Sequence, residues 1–367
     1  MKKIRWKSPL FGVSLLLILL TAGFYAVKGL PPLWEAKQGS GYGKTLYFPL
    51  IQKIPPLPPA PNSVPRVTDS YYFWMKYYTP QRARAEGCKL GARDRDLDGK
   101  QDNLVILDFG LTKYQNGLYG ASGMVLGGFY TMEQIADAVE QFGVGYWDCT
   151  DTDYDSTLLI GIGTNNYNNS STYSNLSVTH EHGQEWAMMV NAVNDWFKTQ
   201  CPEACNGQVS AAGANDIELA WSSPDAVIDW LDGYDSANQY PMINFGAAEG
   251  CPNACGGGGY TWTKDQAWRV HNSGPVYALP EIYLNDGRNA EQWYQLSAYA
   301  KQTYGKPYNF IGVMTTYGAC QQYPDSSCPY IDNTPAEGWT QLYNLVNGSN
   351  LSTWDSIPFV TDIRWWE

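Results

Sequence analysis

A regular alternation of apolar runs and helix-start signals begins near residue 100. The eight apolar runs are 103–110, 144–148, 157–164, 209–219, 242–248, 276–283, 310–316 and 358–365. Eight strands separated by helices predict one α/β domain, a single (β/α)8 or TIM barrel over 103–367. An open doubly wound sheet is the alternative, but it would normally carry a Gly-rich phosphate loop after its first strand, and none is present.

The predicted helices between these runs begin with recognisable caps. In four of them a Thr or Asn stands three residues before a Gln or Glu, the pattern of a capping box. A fifth begins at Ser223, which is followed by Pro224 at the first helical position. The four boxes are Thr131 with Gln134, Thr263 with Gln266, Asn289 with Gln292, and Thr334 with Glu337. Only the connection 149–156 lacks an evident helix.

Three segments precede the predicted barrel. Residues 1–27 carry Lys2, Lys3, Arg5 and Lys7 ahead of an apolar run, which is typical of an export signal or of a retained membrane anchor. Residues 28–65 form a Pro-rich linker. The aromatic and then charged segment 66–102 is predicted to be an N-terminal cap that packs on the barrel.

The cysteines and the net charge restrict the compartment and the partners. Six of the eight cysteines form close pairs, and Cys88 with Cys149 would pair by elimination, so we expect four disulfides in an exported protein. The three close pairs are Cys201 with Cys205, Cys251 with Cys255, and Cys320 with Cys328. Zinc is the competing interpretation, although CxxxC is not its usual spacing. A net charge of −12 argues against a nucleic-acid partner, and we expect a monomer that is secreted or tethered outside the membrane.

Acidic residues stand at or near the carboxyl ends of several predicted strands, where barrel enzymes place their active sites. Two such carboxyl groups are what glycosidic-bond cleavage needs, one as general acid and one as nucleophile or base. Asp216 and Glu218 are two positions apart and would share one face of a strand. A lone strand-end acid can instead cap the next helix or pair with an arginine. The acids are Asp108, Asp148, Asp216, Glu218, Glu281 and Asp362.

The Asp216-Ile217-Glu218 motif on the fourth predicted strand, with Asp108 and Asp362 on the first and last, resembles the glycoside hydrolase family 25 lysozymes. The resemblance implies that Glu218 is the general acid and Asp216 its partner carboxylate, with Asp108 and Asp362 shaping the sugar site and no catalytic cofactor. Glu281 is a rival second carboxylate. The implied substrate is a polysaccharide or peptidoglycan-like glycan. The disulfide-closed loops and the Pro280-Glu281 pair depart from the family pattern.

Flat aromatic side chains near strand ends could stack on sugar rings, although barrels also bury aromatics between strands and helices. We expect substrate contacts from these and from Asp148 and His182. His180 and His182 could alternatively ligate zinc in a metal hydrolase, but they stand at a helix start. The aromatic candidates are Trp147, Trp221, Tyr283, Tyr317 and Trp365.

Residues 94–102, DRDLDGKQD, resemble a calcium-binding loop. Asp94, Asp96, Asp98 and Asp102 alternate around Gly99, which predicts one structural Ca²⁺. Val105 stands where a bidentate Glu is expected, and neighbouring arginines could neutralise the acids instead. For the whole chain, a barrel that only binds sugar or displays a surface is the rival to a glycosidase.

Overall fold

The computed structural model describes residues 63–123, 127–169, 173–201, 205–348 and 357–366. The predicted export segment 1–27 and most of the Pro-rich linker, 28–62, lie outside the described residues. The strands are β1 Val67–Tyr72, β2 Asp102–Gln115, β3 Leu118–Gly123, β4 Gly127–Thr131, β5 Thr157–Asn165, β6 Val209–Asp216, β7 Met242–Asn244, β8 Gly256–Gly257, β9 Tyr260–Thr261, β10 Val276–Ala278, β11 Gly312–Thr315 and β12 Phe359–Trp365. The helices are α1 Pro80–Arg95, α2 Met132–Thr150, α3 His180–Thr199, α4 Cys205–Gln208, α5 Pro224–Ala237, α6 Lys264–Asn272, α7 Arg288–Tyr304, α8 Tyr317–Gln322 and α9 Pro335–Asn347.

Eight parallel strands form a nearly closed barrel. Their order is β10, β7, β6, β5, β2, β1, β12 and β11. The two ends of this row meet through parallel bridges between Ala278 and Phe310 and between Glu281 and Met314. The helices surround the strands, and the predicted (β/α)8 TIM barrel is therefore confirmed.

One predicted barrel strand is wrong and one observed barrel strand was not predicted, so the strand count of eight is unchanged. Residues 144–148 do not form a strand, because they continue helix α2 and pack Gly145 against α1. A Cβ on Gly145 would lie 2.1 Å from the backbone oxygen of Arg84, so the two helices approach too closely for any side chain there. The first barrel strand is instead β1, which pairs in parallel with β12 and β2.

The segment 66–102 is consequently part of the barrel and not a cap upon it. It supplies β1 and α1, and the predicted barrel boundary at residue 103 moves back to Val67. The sequence of β1 lacks a clear apolar pattern, because its inward side chains include the small polar Thr68 and Ser70. Inside the barrel, Ser70 is hydrogen-bonded at 2.6 Å to Thr361 of the neighbouring strand β12.

Alternation along the strands separates an interior core from an outer core. Interior positions pack mainly aliphatic side chains, and outer positions pack against the helices. The interior cluster is Leu104, Ile106, Ala212, Ala214, Ile243, Phe245, Leu279, Ile311, Met314, Phe359 and Ile363. This parity decides which strand-end acids face the mouth of the barrel.

All four predicted disulfides are present. Cys88–Cys149 links α1 to α2 across a sequence separation of 61 residues, and the other three close local loops. No helix within the described ranges is both long and apolar enough to cross a bilayer.

Four of the five predicted helix starts are confirmed. Thr131, Thr263 and Thr334 form capping boxes, and Ser223 caps α5. The prediction at Asn289 is wrong, since α7 begins at Arg288 after Gly287 and the Asn289 side chain accepts a hydrogen bond from the Leu284 backbone N–H.

Candidate active site

Four acidic side chains converge at the carboxyl-terminal mouth of the barrel, and a fifth borders them. Asp216 ends β6, Glu218 follows it, Glu281 lies just beyond β10, and Glu249 comes from the loop after β7. Asp108 lies in β2 on the interior face, in alternation with Leu104 and Ile106. Sequence reasoning predicted all of these except Glu249.

The backbone around Glu218 is held by Asn166. The Asn166 Oδ1 accepts the Glu218 N–H at 3.0 Å, and the Asn166 Nδ2 donates to the Glu218 carbonyl at 2.9 Å. Asn166 follows β5, the neighbour of β6 in the barrel. Two bonds to one residue's backbone fix where the strand-end loop points its carboxyl group.

The carboxyl groups themselves lie close together. One oxygen each of Asp216, Glu218 and Glu281 lies within 4.8 Å of the other two. Glu218 forms side-chain hydrogen bonds with Glu249 and with Glu281. A hydrogen bond between two carboxyl groups requires a proton on one of them, so these contacts favour a cluster that keeps at least one proton.

Two tyrosines extend the hydrogen-bonded cluster. The Tyr283 hydroxyl donates to Glu281 Oε1 at 2.7 Å, and Tyr72 is hydrogen-bonded to Tyr283. Glu249 Oε2 accepts the backbone N–H of Leu219 at 2.8 Å, which ties the cluster to the loop after β6. Tyr283 was predicted to contact sugar directly; it lies against Glu281 instead and orients it.

Burial raises the pKa of every acid in the mouth for which a shift is resolved. It raises the pKa of Glu281 to about 8 and that of Asp108 to about 6. Burial, reinforced by the neighbouring carboxyl groups, raises the pKa of Asp216 well above its usual value. The pKa of Glu218 is also well above its usual range, mainly because of burial and next because of the hydrogen bond to Glu249.

No cationic side chain compensates these acids within the part of the chain that the structure describes. None of the ion pairs there includes Asp108, Asp216, Glu218, Glu249 or Glu281. The Asp216 Oδ1 atom is buried and has no hydrogen-bond partner. Any ionised carboxyl group in the mouth therefore carries a negative charge that only a proton or a bound ligand can neutralise.

A cleft of about 650 Å³ opens beside the cluster, and its walls are largely aromatic. Asp108, Asp216, Trp221 and Trp365 line it, as sequence reasoning predicted for site residues. The Trp365 ring centroid lies 4.5 Å from that of Tyr72 and 5.1 Å from that of Trp74. The remaining lining residues are Phe73, Phe109, Gly110, Gly123, Thr316, Ala319, Cys320, Tyr323, Asp325, Cys328 and Ile331.

Asp362 does not lie in the mouth, so the predicted placement of this residue in the sugar site is wrong. Phe359 and Ile363 face the barrel interior, so Asp362 points to the helix side of β12. Its Oδ1 accepts the Thr315 hydroxyl and its Oδ2 accepts the Gly318 N–H of α8, both at 2.8 Å. Asp362 thus holds the start of α8, the helix that follows the neighbouring strand β11.

Asp148, Trp147 and His182 are also misplaced by the sequence prediction. Trp147 and Asp148 lie in the last turn of helix α2 and not at the carboxyl end of a strand, and Asp148 is exposed. His182 is fully buried, with its Nδ1 accepting from the Trp230 indole at 3.0 Å and its Nε2 facing the Gly120 carbonyl at 2.9 Å. Both ring nitrogens are occupied, and burial lowers the His182 pKa to about 4, so the ring is a neutral structural element. Tyr317 opens helix α8 and does not line the cleft.

The four predicted calcium ligands do not converge. Asp94 is buried and is paired with Arg66, while its Oδ2 accepts from Asn103 at 2.6 Å and from Tyr146 at 2.8 Å. Asp96 pairs with Arg95, and Asp102 with Lys100. In the described ranges, the one set of three acids close enough to share an ion is Asp216, Glu218 and Glu281. Calcium binding by Asp94, Asp96, Asp98 and Asp102 stays a prediction that this arrangement does not favour.

Several site residues carried no signal strong enough to be found from sequence. Glu249 follows the apolar run 242–248 directly, and its position after a strand was the available clue. Tyr72 and Trp74 fell in the segment interpreted as a cap. Asn166 follows β5 immediately, but an asparagine there is equally typical of a turn.

The fold and the site define a TIM barrel with a buried acidic cluster at its mouth. No family model matches the chain, and no curated protein matches it. Among solved structures, a sugar phosphate isomerase/epimerase from Parabacteroides distasonis is similar over 83% of this chain and 90% of its own, at 9% identity and a TM-score of 0.38. A likeness at this level carries no argument about the activity of this chain, and the barrel assignment rests on the strand pairing.

Proposed function

We propose that the protein is a glycoside hydrolase that uses Glu218 as its general acid. The observation that carries the proposal is the contact between Glu218 and the other mouth carboxyl groups beside an aromatic cleft. Glycosidic cleavage requires one carboxyl group that is protonated near neutral pH and a second that is ionised. Crowding and burial supply the first of these at Glu218.

Asp216 is the proposed partner carboxylate, and it would react in its ionised form while Glu218 keeps the proton, although burial and the neighbouring carboxyl groups raise the pKa of both. Asp216 lines the cleft and its Oδ1 accepts no hydrogen bond, so no protein donor competes with an anomeric carbon for this carboxyl group. Glu218 would pass its proton to the glycosidic oxygen as the C–O bond breaks, and the Asp216 carboxylate would bond to the sugar. Water would then displace Asp216 and return a proton to Glu218. An oxygen-to-oxygen spacing within 4.8 Å is closer to the roughly 5–5.5 Å of retaining enzymes than to the 6.5–9.5 Å of inverting ones.

The proposed substrate is an exported or cell-wall polysaccharide, peptidoglycan-like glycans included. Trp221, Trp365 and Trp74 offer flat faces along the cleft, which suits stacking on sugar rings. Four disulfides and the basic-then-apolar N-terminus support an exported enzyme. The resemblance of the Asp216-Ile217-Glu218 motif to family 25 lysozymes supports the same substrate class.

The test is release of reducing ends from a panel of polysaccharides by the wild type and by Glu218→Gln. We expect the variant to lose about 10²–10⁴-fold in turnover, the usual contribution of a general acid. Glu133→Gln, the same change at an exposed position on α2, is the matched control and should retain full activity. Full activity in Glu218→Gln together with loss in Glu281→Gln would move the acid to Glu281.

A glycan-binding barrel without catalysis is the second candidate, and the aromatic cleft favours it independently of the acids. In that case no polymer of the panel is cleaved, yet the wild type is retained on an immobilised glycan. Trp365→Ala should then lose retention while Glu218→Gln keeps it.

A further inference from the structure

The acidic cluster has the spacing of a cation site. Oxygen ligands of a hard divalent cation lie about 2.0–2.6 Å from it, so two such ligands are at most about 5 Å apart. The three oxygens of Asp216, Glu218 and Glu281 satisfy this limit, since each lies within 4.8 Å of the others. These residues come from two strand ends of a rigid barrel, which fixes the spacing without a ligand.

A second observation points to a ligand at the same place. Asp216 is only 6% exposed, and its buried Oδ1 has no hydrogen-bond partner, although the carboxyl group faces the cluster. Buried polar atoms in folded proteins almost always have a partner. Leaving an acceptor unpaired costs roughly 1–3 kcal/mol, and more if it is charged. A cation between the three carboxyl groups would give the Asp216 carboxyl group a partner, and no Lys or Arg of the described ranges does so.

We propose that Asp216, Glu218 and Glu281 bind one hard divalent cation, of the magnesium, manganese or calcium class. The donor set is oxygen only, because His182 and the disulfide cysteines are engaged elsewhere. Oxygen-only sites select these cations over zinc or copper. The open cleft beside Asp216 leaves room for water or for ligand hydroxyl groups to complete the coordination.

The roles of the surrounding residues follow. Tyr283 donates to Glu281 Oε1 and orients that ligand. Glu249 contacts Glu218 and would support it from outside the coordination sphere. If the proposed hydrolysis is correct, bound cation should inhibit it, because a carboxylate that ligates a cation has no proton to donate.

The test is a Mn²⁺ titration of the chelator-treated full chain, followed by electron paramagnetic resonance, with Ca²⁺ and Mg²⁺ as competitors. We expect one Mn²⁺ per chain for the wild type and an at least tenfold weaker affinity for Asp216→Asn and for Glu281→Gln. Asp96→Asn, the same change in the 94–102 segment, is the control and should bind as the wild type does. Near-ultraviolet circular dichroism of each variant identifies any that has lost its fold, and the two mouth variants provide independent checks.

The readout is independent of hydrolysis, since no sugar is present. A wild type that binds no Mn²⁺ at millimolar concentration would overturn the cation site and leave the glycosidase proposal standing. Loss of binding in Asp96→Asn but not in Asp216→Asn would also overturn it, by assigning the ion to the 94–102 segment.

Discussion

Replacing Glu281 with glutamine should make the protein more stable at neutral pH. Burial raises the pKa of this carboxyl group from 4.5 to about 8. Between these two values the unfolded chain has released its proton and the folded chain still holds it, so the free energy of unfolding falls as the pH rises. One pKa unit corresponds to about 1.4 kcal/mol, which gives a loss of about 3 kcal/mol between pH 4.5 and pH 7 from this group. A glutamine side chain at this position does not titrate and can still accept the Tyr283 hydrogen bond.

The assay is denaturant unfolding of both proteins in chelator at intervals from pH 4.5 to pH 8. The stability of Glu281→Gln relative to the wild type should increase by about 3 kcal/mol by pH 7. Glu337→Gln is the control: Glu337 is exposed and its pKa is lowered by hydrogen bonds from Thr334, so its replacement should leave the neutral decline in place. Parallel pH profiles for the wild type and Glu281→Gln would show that Glu281 is ionised in the folded protein and would refute the reasoning.

Three further substitutions separate positioning and structural roles from chemistry. Asn166→Ala should lower kcat on a cleaved glycan by about 10–100-fold with little change in KM, because the backbone of Glu218 loses its two hydrogen bonds to Asn166. An unchanged kcat would show that Asn166 does not position Glu218. Asp362→Asn should lower the free energy of unfolding by about 1–2 kcal/mol through its contacts to Thr315 and Gly318 and leave turnover unchanged; loss of turnover in a folded variant would restore its catalytic role. Asp94→Ala should lower the free energy of unfolding by about 3 kcal/mol or more, equally in calcium and in chelator, because Arg66 loses its ion-pair partner. A calcium-dependent shift in Tm that is absent in this variant would support calcium binding by residues 94–102.

The fold could be predicted because its main signals are local. Capping boxes at Thr131, Thr263 and Thr334 and the apolar runs between helices together specify a strand–helix repeat. Local signals do not show that 144–148 is helical or that 67–72 is the first barrel strand. Apolar VGYWD is compatible with a buried helix or strand, and glycine packing against α1 decides in favour of the helix. In β1 the barrel interior is polar, so the strand lacks the apolar signature of its neighbours.

The acids at the mouth could be predicted in part. Asp216 and Glu218 stand on a confirmed strand end, and Glu281 follows another. Asp362 shows the limit of the argument, since a strand-end position does not specify which face a side chain takes. The apolar alternation of Phe359 and Ile363 around it was the available clue. Contacts such as Glu218 with Glu249 join loops that are distant in the sequence, and no local pattern encodes them.

The central claim is that the barrel mouth keeps an acidic side chain protonated at neutral pH. Carbon-13 NMR titration of side-chain carboxyl groups in the chelator-treated protein measures this directly, with Glu281→Gln and Glu218→Gln providing the assignments. We expect the Glu281 signal to titrate near pH 8, and that of Glu218 well above its usual range of about 4.3. Titration of both groups below pH 5 would contradict the account.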